Sequence, residues 1–214
     1  MDYRNRAERE AKLAAALARL GASQRRRLLE IMGDPPKIEN VAPEYWDASL
    51  AEWRGVLTPE LESIFVDSAM DLVQSNPAIG IDWDNVYQGA ADWSRRYGST
   101  LVTNIDEHTR RGVRDAVADY YEQGQNLGQL RERLGQWFGP VRADMIATTE
   151  VTRASVEGER AVAQEATSIG IQMVAVWQTN NDEMVCAICG PRNGKAEGDG
   201  WTKADGPPAH PRCR

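Results

Sequence analysis

The chain has very little sulfur and imidazole: three cysteines and two histidines in 214 residues. A small, odd number of cysteines excludes a disulfide framework and suits a reducing compartment. Long apolar runs are missing too. No stretch of about 18 apolar residues occurs, so no transmembrane helix is expected. The first ten residues are charged throughout and lack the apolar region of a secretory signal, so the chain is expected to be made in, and first to act in, a cytoplasm. Positive charge is in deficit, with 25 Lys and Arg against 32 Asp and Glu and a net charge of −7. That balance argues against coating nucleic acid through its phosphates as the main task. There is no nucleophile elbow and no His-Glu-x-x-His pair. The run from Gly190 to Lys195 looks like a phosphate loop, but it is one residue short, has Ala196 where Ser or Thr is needed, and precedes no helix.

What remains is a composition of 42% hydrophobic and 27% charged residues, ordinary for a globular chain. Its length allows one large domain, or a helical body with a small appendage. Residues 1 to about 170 read as successive helices. Arg9 to Leu20 are strong helix formers, and Gly21 is expected to end that element. Ser23 then caps a short helix to Met32, stopped by Gly33-Asp34-Pro35-Pro36. Asp47 or Ser49 is expected to open a helix through Trp53. Thr58-Pro59-Glu60 reads as a cleaner start, with Pro59 at the first helical position. Asn76-Pro77 and Gly80 mark a break. A long stretch from Asp82 to Glu122 follows, with a joint expected between Gly98 and Asn104. Gly124 closes it. Asn126 caps the next helix, which carries Leu127, Leu130, Leu134, Trp137 and Phe138. After Gly139-Pro140 a last helix runs to about Ser168, with Val141, Met145, Thr152, Val156 and Ala163 on one face. The basic groups Arg25-Arg26-Arg27 and Arg110-Arg111 with Arg114 read as solvated helix faces.

Beyond Gly170 the composition changes. Ile171 to Gln178 is branched and aromatic and predicts a strand. From Asn180 the chain is rich in Gly, Pro, Asp and Asn, and would not order unless something tied it down. All three cysteines lie here. Cys186 and Cys189 are separated by two residues, and so are His210 and Cys213. Each spacing lets a sharp turn aim two donors at one ion, with Gly190 expected at positive φ beside the first pair. Three sulfurs and one imidazole suit a tetrahedral Zn²⁺ site, and four protein ligands make it structural, with no open position for substrate. Zinc binding of this kind is worth roughly 10 to 16 kcal/mol in isolated finger peptides, ample to order such a tail. The other histidine, His108, sits in a charged helical stretch and is expected to be inert.

Three polar features read as structural. Thr148, Thr149, Glu150, Thr152 and Arg153 form a cluster on the last helix, expected to hydrogen-bond that helix to the tail, with Glu150 and Arg153 one turn apart. Asp182 and Glu183 read as turn formers. Trp46, Trp53, Trp83 and Trp93 read as core or interface anchors, and Trp177 as packing on the last helix.

An ordered set of residues carries a family resemblance. It comprises Leu101-Val102-Thr103-Asn104-Ile105, the short helix Gly128 to Phe138, and Ile146-Ala147-Thr148-Thr149-Glu150-Val151-Thr152-Arg153-Ala154. Trp177-Gln178-Thr179, Asp182-Glu183, Val185-Cys186 and Cys189 follow. Gly194-Lys195, Pro207-Pro208, His210-Pro211 and Cys213-Arg214 complete the set. Over about residues 95 to 214 the chain resembles the phage Mu F-like minor head proteins, also called phage head morphogenesis proteins. It departs from them at Thr148, where the family usually has Arg, and in lacking a further Cys after Cys213-Arg214.

The helical run and the changed tail predict a mainly α protein: an elongated helical body with a small C-terminal β/loop zinc-knuckle module. Residues 1–94 would be an N-terminal helical region suited to docking on portal or capsid protein, and 95–214 the Mu F-like domain, with the knuckle at 180–214. The resemblance implies a structural, non-enzymatic minor head protein of a tailed phage or prophage. Such a protein sits at the portal vertex or capsid interior after assembly in the host cytoplasm. Its partners would be the portal protein and/or major capsid protein, with a weak contact to DNA inside the capsid, no membrane and no small-molecule substrate. The competing expectations are a zinc-based nucleic-acid or protein adaptor, which the basic residues Arg192, Lys195, Lys203, Arg212 and Arg214 would serve, and a metal-dependent nuclease.

Overall fold

The computed structural model describes residues 5–77, 79–179, 183 and 185–213. Five α-helices account for most of them: α1 (Arg6–Met32), α2 (Pro43–Ser75), α3 (Trp83–Glu122), α4 (Leu127–Phe138) and α5 (Pro140–Ser168). The chain is mainly helical, and α3, at 40 residues, spans about 60 Å at 1.5 Å per residue. No helix among the described residues is long and apolar enough to cross a membrane.

The helices are fewer and longer than local signals predict, because packing overrides the breakers. Helix α1 runs straight through Gly21, which is buried. A Cβ at Gly21 would lie 2.6 Å from the Phe138 carbonyl oxygen, so this glycine is a contact point between α1 and the end of α4 and not a stop. Helix α2 runs through Pro59, so Thr58 caps nothing and the separate start expected near Asp47 or Ser49 does not exist. An interior proline costs about 3 kcal/mol. Leu57, Leu61 and Ile64 are fully buried around it, at roughly 1.5–3 kcal/mol each, which outweighs that cost. Helix α3 has no joint at Gly98; a Cβ there would lie 3.0 Å from the Thr58 hydroxyl oxygen, which marks a close crossing of α2 and α3.

The end signals at Gly33, Gly124 and Asn126 are as read. Gly33 (φ 77°) follows α1, and Asp82 caps α3 by accepting from the Asp84 N–H at 3.0 Å. Gly124 (φ 61°) follows α3, and Asn126 with Gln129 forms a reciprocal capping box on α4.

Helix α5 packs mainly against α1 and α2. The face it buries is not the expected one. Val141 is 71% exposed, whereas Ala143, Ile146, Ala147, Val151, Ala154, Gly158, Val162 and Ala166 are buried. One core cluster joins Leu13 and Leu17 of α1, Trp53, Leu57, Leu61 and Ile64 of α2, Val102 and Ile105 of α3, and Ala143 to Ala154 of α5. The boundary placed near residue 95 falls inside α3, and this core draws on both sides of it. Trp46 and Trp53 are buried, and Trp83 and Trp93 pack against the core. The basic runs are partly paired: Arg27 reaches Glu52 at 2.6 Å and Arg110 reaches Asp106 at 2.5 Å.

After α5 the expected strand is an extended segment with one isolated bridge, Val176 to Ala196, and no regular strand occurs among the described residues. The partner stretch turns away at Gly198 and Gly200, both at positive φ, before a second rung can form.

The small residues of α5 yield a test. A Cβ at Gly158 would lie 2.1 Å from the Phe65 carbonyl oxygen, whereas at Gly89 of α3 it would meet nothing within 4 Å. In urea denaturation Gly158→Ala should lose about 1–3 kcal/mol through overpacking. Gly89→Ala should gain up to about 1 kcal/mol from helix propensity.

Candidate metal centre

The tail folds around two pairs of donors. Cys186 and Cys189 lie on a tight turn in which the Gly190 N–H donates to the Cys186 carbonyl at 2.9 Å and the Cys189 N–H approaches the Cys186 sulfur at 3.4 Å. Gly190 does not take the expected positive φ; it opens a three-residue 3-10 turn, Gly190–Arg192. The second pair sits on the turn His210-Pro211-Arg212-Cys213, closed by the Cys213 N–H donating to the His210 carbonyl at 3.1 Å. Pro211 precedes Arg212, which is left-handed at φ 59°, the pattern of a type II turn.

The two turns face each other. His210 Nε2 is 3.0 Å from the Cys186 Sγ and 3.3 Å from the Cys189 Sγ. Cys186, Cys189 and His210 have ligand atoms within 4.8 Å of one another, a group able to hold a metal ion. Cys213 lies outside that group and touches it through Cys189 alone, with the two sulfurs 3.4 Å apart and unbonded. Donors around a tetrahedral zinc ion stand about 3.5–3.8 Å apart, so these gaps are a few tenths of an ångström short of that spacing. The other ring nitrogen, Nδ1, is 2.8 Å from the Pro211 carbonyl. Donation to that carbonyl fixes the tautomer and leaves the Nε2 lone pair aimed at the sulfurs, the usual arrangement of a ligating histidine. His108 is exposed on α3 and belongs to no such group.

The sulfurs differ electrostatically. Backbone N–H donation, chiefly from Cys189, lowers the Cys186 thiol to about 7. Burial pushes the Cys189 thiol up, reinforced by Cys213 and Cys186 beside it. Adjacent thiolates repel one another, and a cation among them reverses that sign.

A small core shields the donors. Trp177 and Trp201 meet edge to face, with centroids 5.3 Å apart, and pack with Cys189 and Cys213. Trp177 thus packs within the tail and not on α5 as expected, and Arg192 lies over its ring at 5.0 Å. Trp201 was not anticipated, although it is the one aromatic between the donor pairs. Its indole N–H donates to the Lys195 carbonyl at 2.9 Å.

The expected link between α5 and the tail is present. The Arg212 N–H donates to the Thr149 hydroxyl at 2.9 Å, and the Thr152 hydroxyl donates to the Cys213 carbonyl at 2.8 Å. The Arg212 guanidinium reaches Asp144 at 3.0 Å. Thr148 is buried and its hydroxyl has no partner among the described residues. Asp182 lies outside the described residues; Glu183 is exposed in a turn.

Glu150 and Arg153 are 3.6 Å apart, and a third member that no sequence pattern signals is Tyr97, whose hydroxyl donates to Glu150 at 2.8 Å. The Arg153 guanidinium lies over the Tyr97 ring at 5.2 Å. These contacts face α3 and stand apart from the tail.

With this geometry in place, the chain is defined as a helical body carrying a docked cysteine–histidine cluster. Residues 111–214 match the family model described as phage Mu protein F like protein. The match covers a little under half of the chain and supports a phage Mu F-like head morphogenesis protein. No curated protein and no solved structure matches the chain.

Glu150 gives a pH prediction. Burial holds its carboxyl above the ordinary range, against the opposing pull of Tyr97 and Arg153. A carboxyl raised in this way binds its proton more tightly folded than unfolded. Its contribution is therefore greatest below the ordinary glutamate range and is lost as pH rises through the raised value. Glu150→Gln keeps an oxygen for Tyr97 and should flatten that fall. Denaturant midpoints from about pH 4 to pH 8 test it, and parallel curves for the two proteins would contradict it.

Proposed function

We propose that this chain is a structural minor head protein of a tailed phage or prophage, acting in head assembly or DNA delivery without catalysing a reaction. The observation that carries the proposal is the family match over residues 111–214. In this reading the protein resides in the virion, at the portal vertex or capsid interior, and docks on the portal protein and/or the major capsid protein. Any contact with DNA is secondary, in keeping with the net charge of −7.

The cysteine–histidine cluster is its structural Zn²⁺ site, held by Cys186, Cys189, His210 and Cys213. Three soft sulfurs and an imidazole select zinc over magnesium or calcium. The oriented His210 ring and the short gaps between donors support the assignment. When bound, the ion supplies charge to hold three thiolates together. The chain supplies the two turns, the tryptophan pair that limits water, and the threonines that seat the turns on α5. Four protein ligands close the site to substrate, which fits a scaffold and not a nuclease.

Two measurements test the reading. Co-expressed with its portal and major capsid proteins, the chain should co-purify with one of them and appear in assembled heads; its absence from purified heads would overturn the assignment. Metal analysis of the full chain should give one zinc per molecule. Cys186→Ser should lose it and speed amide exchange over residues 185–213 while the helical circular dichroism persists. A Cys186→Ser protein that kept one zinc would overturn the ligand set.

A further inference from the structure

The carbonyl of Cys213 faces away from the donor cluster toward the start of α1. It accepts from the Thr152 hydroxyl at 2.8 Å and lies 3.5 Å from the Arg6 guanidinium. Arg6 also donates to the Thr152 hydroxyl oxygen at 2.5 Å and to Glu10 at 2.9 Å. Arg6 and Glu10 are both largely buried, with side chains 16% and 7% exposed, so this is not a loose surface pair. Three segments therefore meet at one point: the first turn of α1, the middle of α5, and the turn that carries His210 and Cys213.

We infer that Arg6 and Thr152 are positioning residues of the cysteine–histidine centre, coupling metal occupancy at the C-terminal turn to the docking of the first turns of α1. The inference rests on the zinc reading above. Neither residue touches the donor atoms. Their bonds fix the Cys213 carbonyl, and with it the peptide plane next to the Cys213 sulfur. An ordered turn presents this carbonyl to Thr152 and Arg6; a released turn withdraws it, leaving Arg6 with Glu10 and Thr152 alone and the pair with one acceptor fewer. Coupling between binding events is reciprocal: if the metal steadies α1, then weakening the α1 clamp must weaken the metal. The rest of α1 is held independently. Arg9 pairs with Glu60 and Asp67, and Lys12 with Glu60 at 2.8 Å, all on α2 and away from the tail.

That division supplies the control. Zinc affinity of the full chain is measured by competition with a chromophoric chelator, for the parent, Arg6→Gln, Arg6→Lys, Thr152→Val, Thr152→Ser and Lys12→Gln. Amide exchange over residues 6–12 is followed with zinc and after chelation. Arg6→Gln and Thr152→Val should each weaken zinc by about fivefold to tenfold, the scale of one charge-assisted hydrogen bond transmitted between sites. Thr152→Ser, which keeps the hydroxyl, should bind like the parent, and Arg6→Lys should recover part of the loss. Lys12→Gln should leave affinity unchanged. Chelation should speed exchange at residues 6–12 in the parent but not in Arg6→Gln.

Equal zinc affinity in the parent and Arg6→Gln would overturn the inference and leave the zinc reading standing. An equal loss in Lys12→Gln would also overturn it, since the effect would then be general loosening of α1. A parent that binds no zinc would sink the zinc reading and the coupling with it. Circular dichroism checks that each variant folds. Should Thr152→Val not fold, Arg6→Gln against Arg6→Lys decides the matter alone.

Discussion

Helix α5 must be touched along both flanks at once, by α1 on one side and α2 on the other, and the rest of the structure is arranged around that demand. Large side chains would hold the three axes apart. The buried stripe Ala143, Ala147, Ala154, Gly158, Val162 and Ala166 is instead small, and at Gly158 the backbone of α2 comes against the helix directly. Close approach lets Leu13, Leu17, Leu57, Leu61 and Ile64 interdigitate above and below α5 in one cluster. The same demand explains why breakers fail. Gly21 and Pro59 are poor helix residues in isolation, but a break at either would pull a fully buried leucine out of this cluster.

The tail meets a different constraint. Past α5 its own apolar contribution comes down to two tryptophans, two buried cysteines and a few partly buried neighbours. A cluster of that size cannot by itself offset the entropy of ordering more than thirty residues at roughly 1–2 kcal/mol each. Order here depends on polar geometry: the two tight turns and the hydrogen bonds onto Thr149 and Thr152. The strand-like segment before it shows the same shortage. Ile171 and Met173 pack on the body, while Val174 and Val176 stay exposed and only one rung of bridge forms.

How much of this could be read in advance varied with the kind of signal. The cap at Asn126 was legible because its chemistry is local: it accepts from the Gln129 amide three residues away, with nothing distant in the sequence to override it. The donor pairs of the tail were legible for the same reason, since a two-residue gap fixes a turn whatever surrounds it. Interior Gly21, Pro59 and Gly98 were misread because their meaning depends on Phe138, on the buried leucines and on Thr58, partners distant in the sequence. The buried face of α5 was misread because a helix clasped on two sides has a wide stripe of small residues, and a search for large apolar side chains finds Val141 and Met145 instead. Arg6 was invisible altogether: a charged residue near the start of a helix reads as solvated until Cys213 is brought beside it.

The family match begins at residue 111, inside α3, yet the physical unit does not begin there. Taken alone, the matched stretch would present Ile146, Val151 and Val162 of α5 with no α1 or α2 to cover them, and the Cys213 carbonyl without Arg6. Helix α5 is the element common to both descriptions. Its buried stripe faces the preceding helices, and its threonines face the tail one turn further round. One helix thus serves two interfaces: α1 and α2 cover its small buried stripe, and the cysteine–histidine turns are hydrogen-bonded to its Thr149 and Thr152.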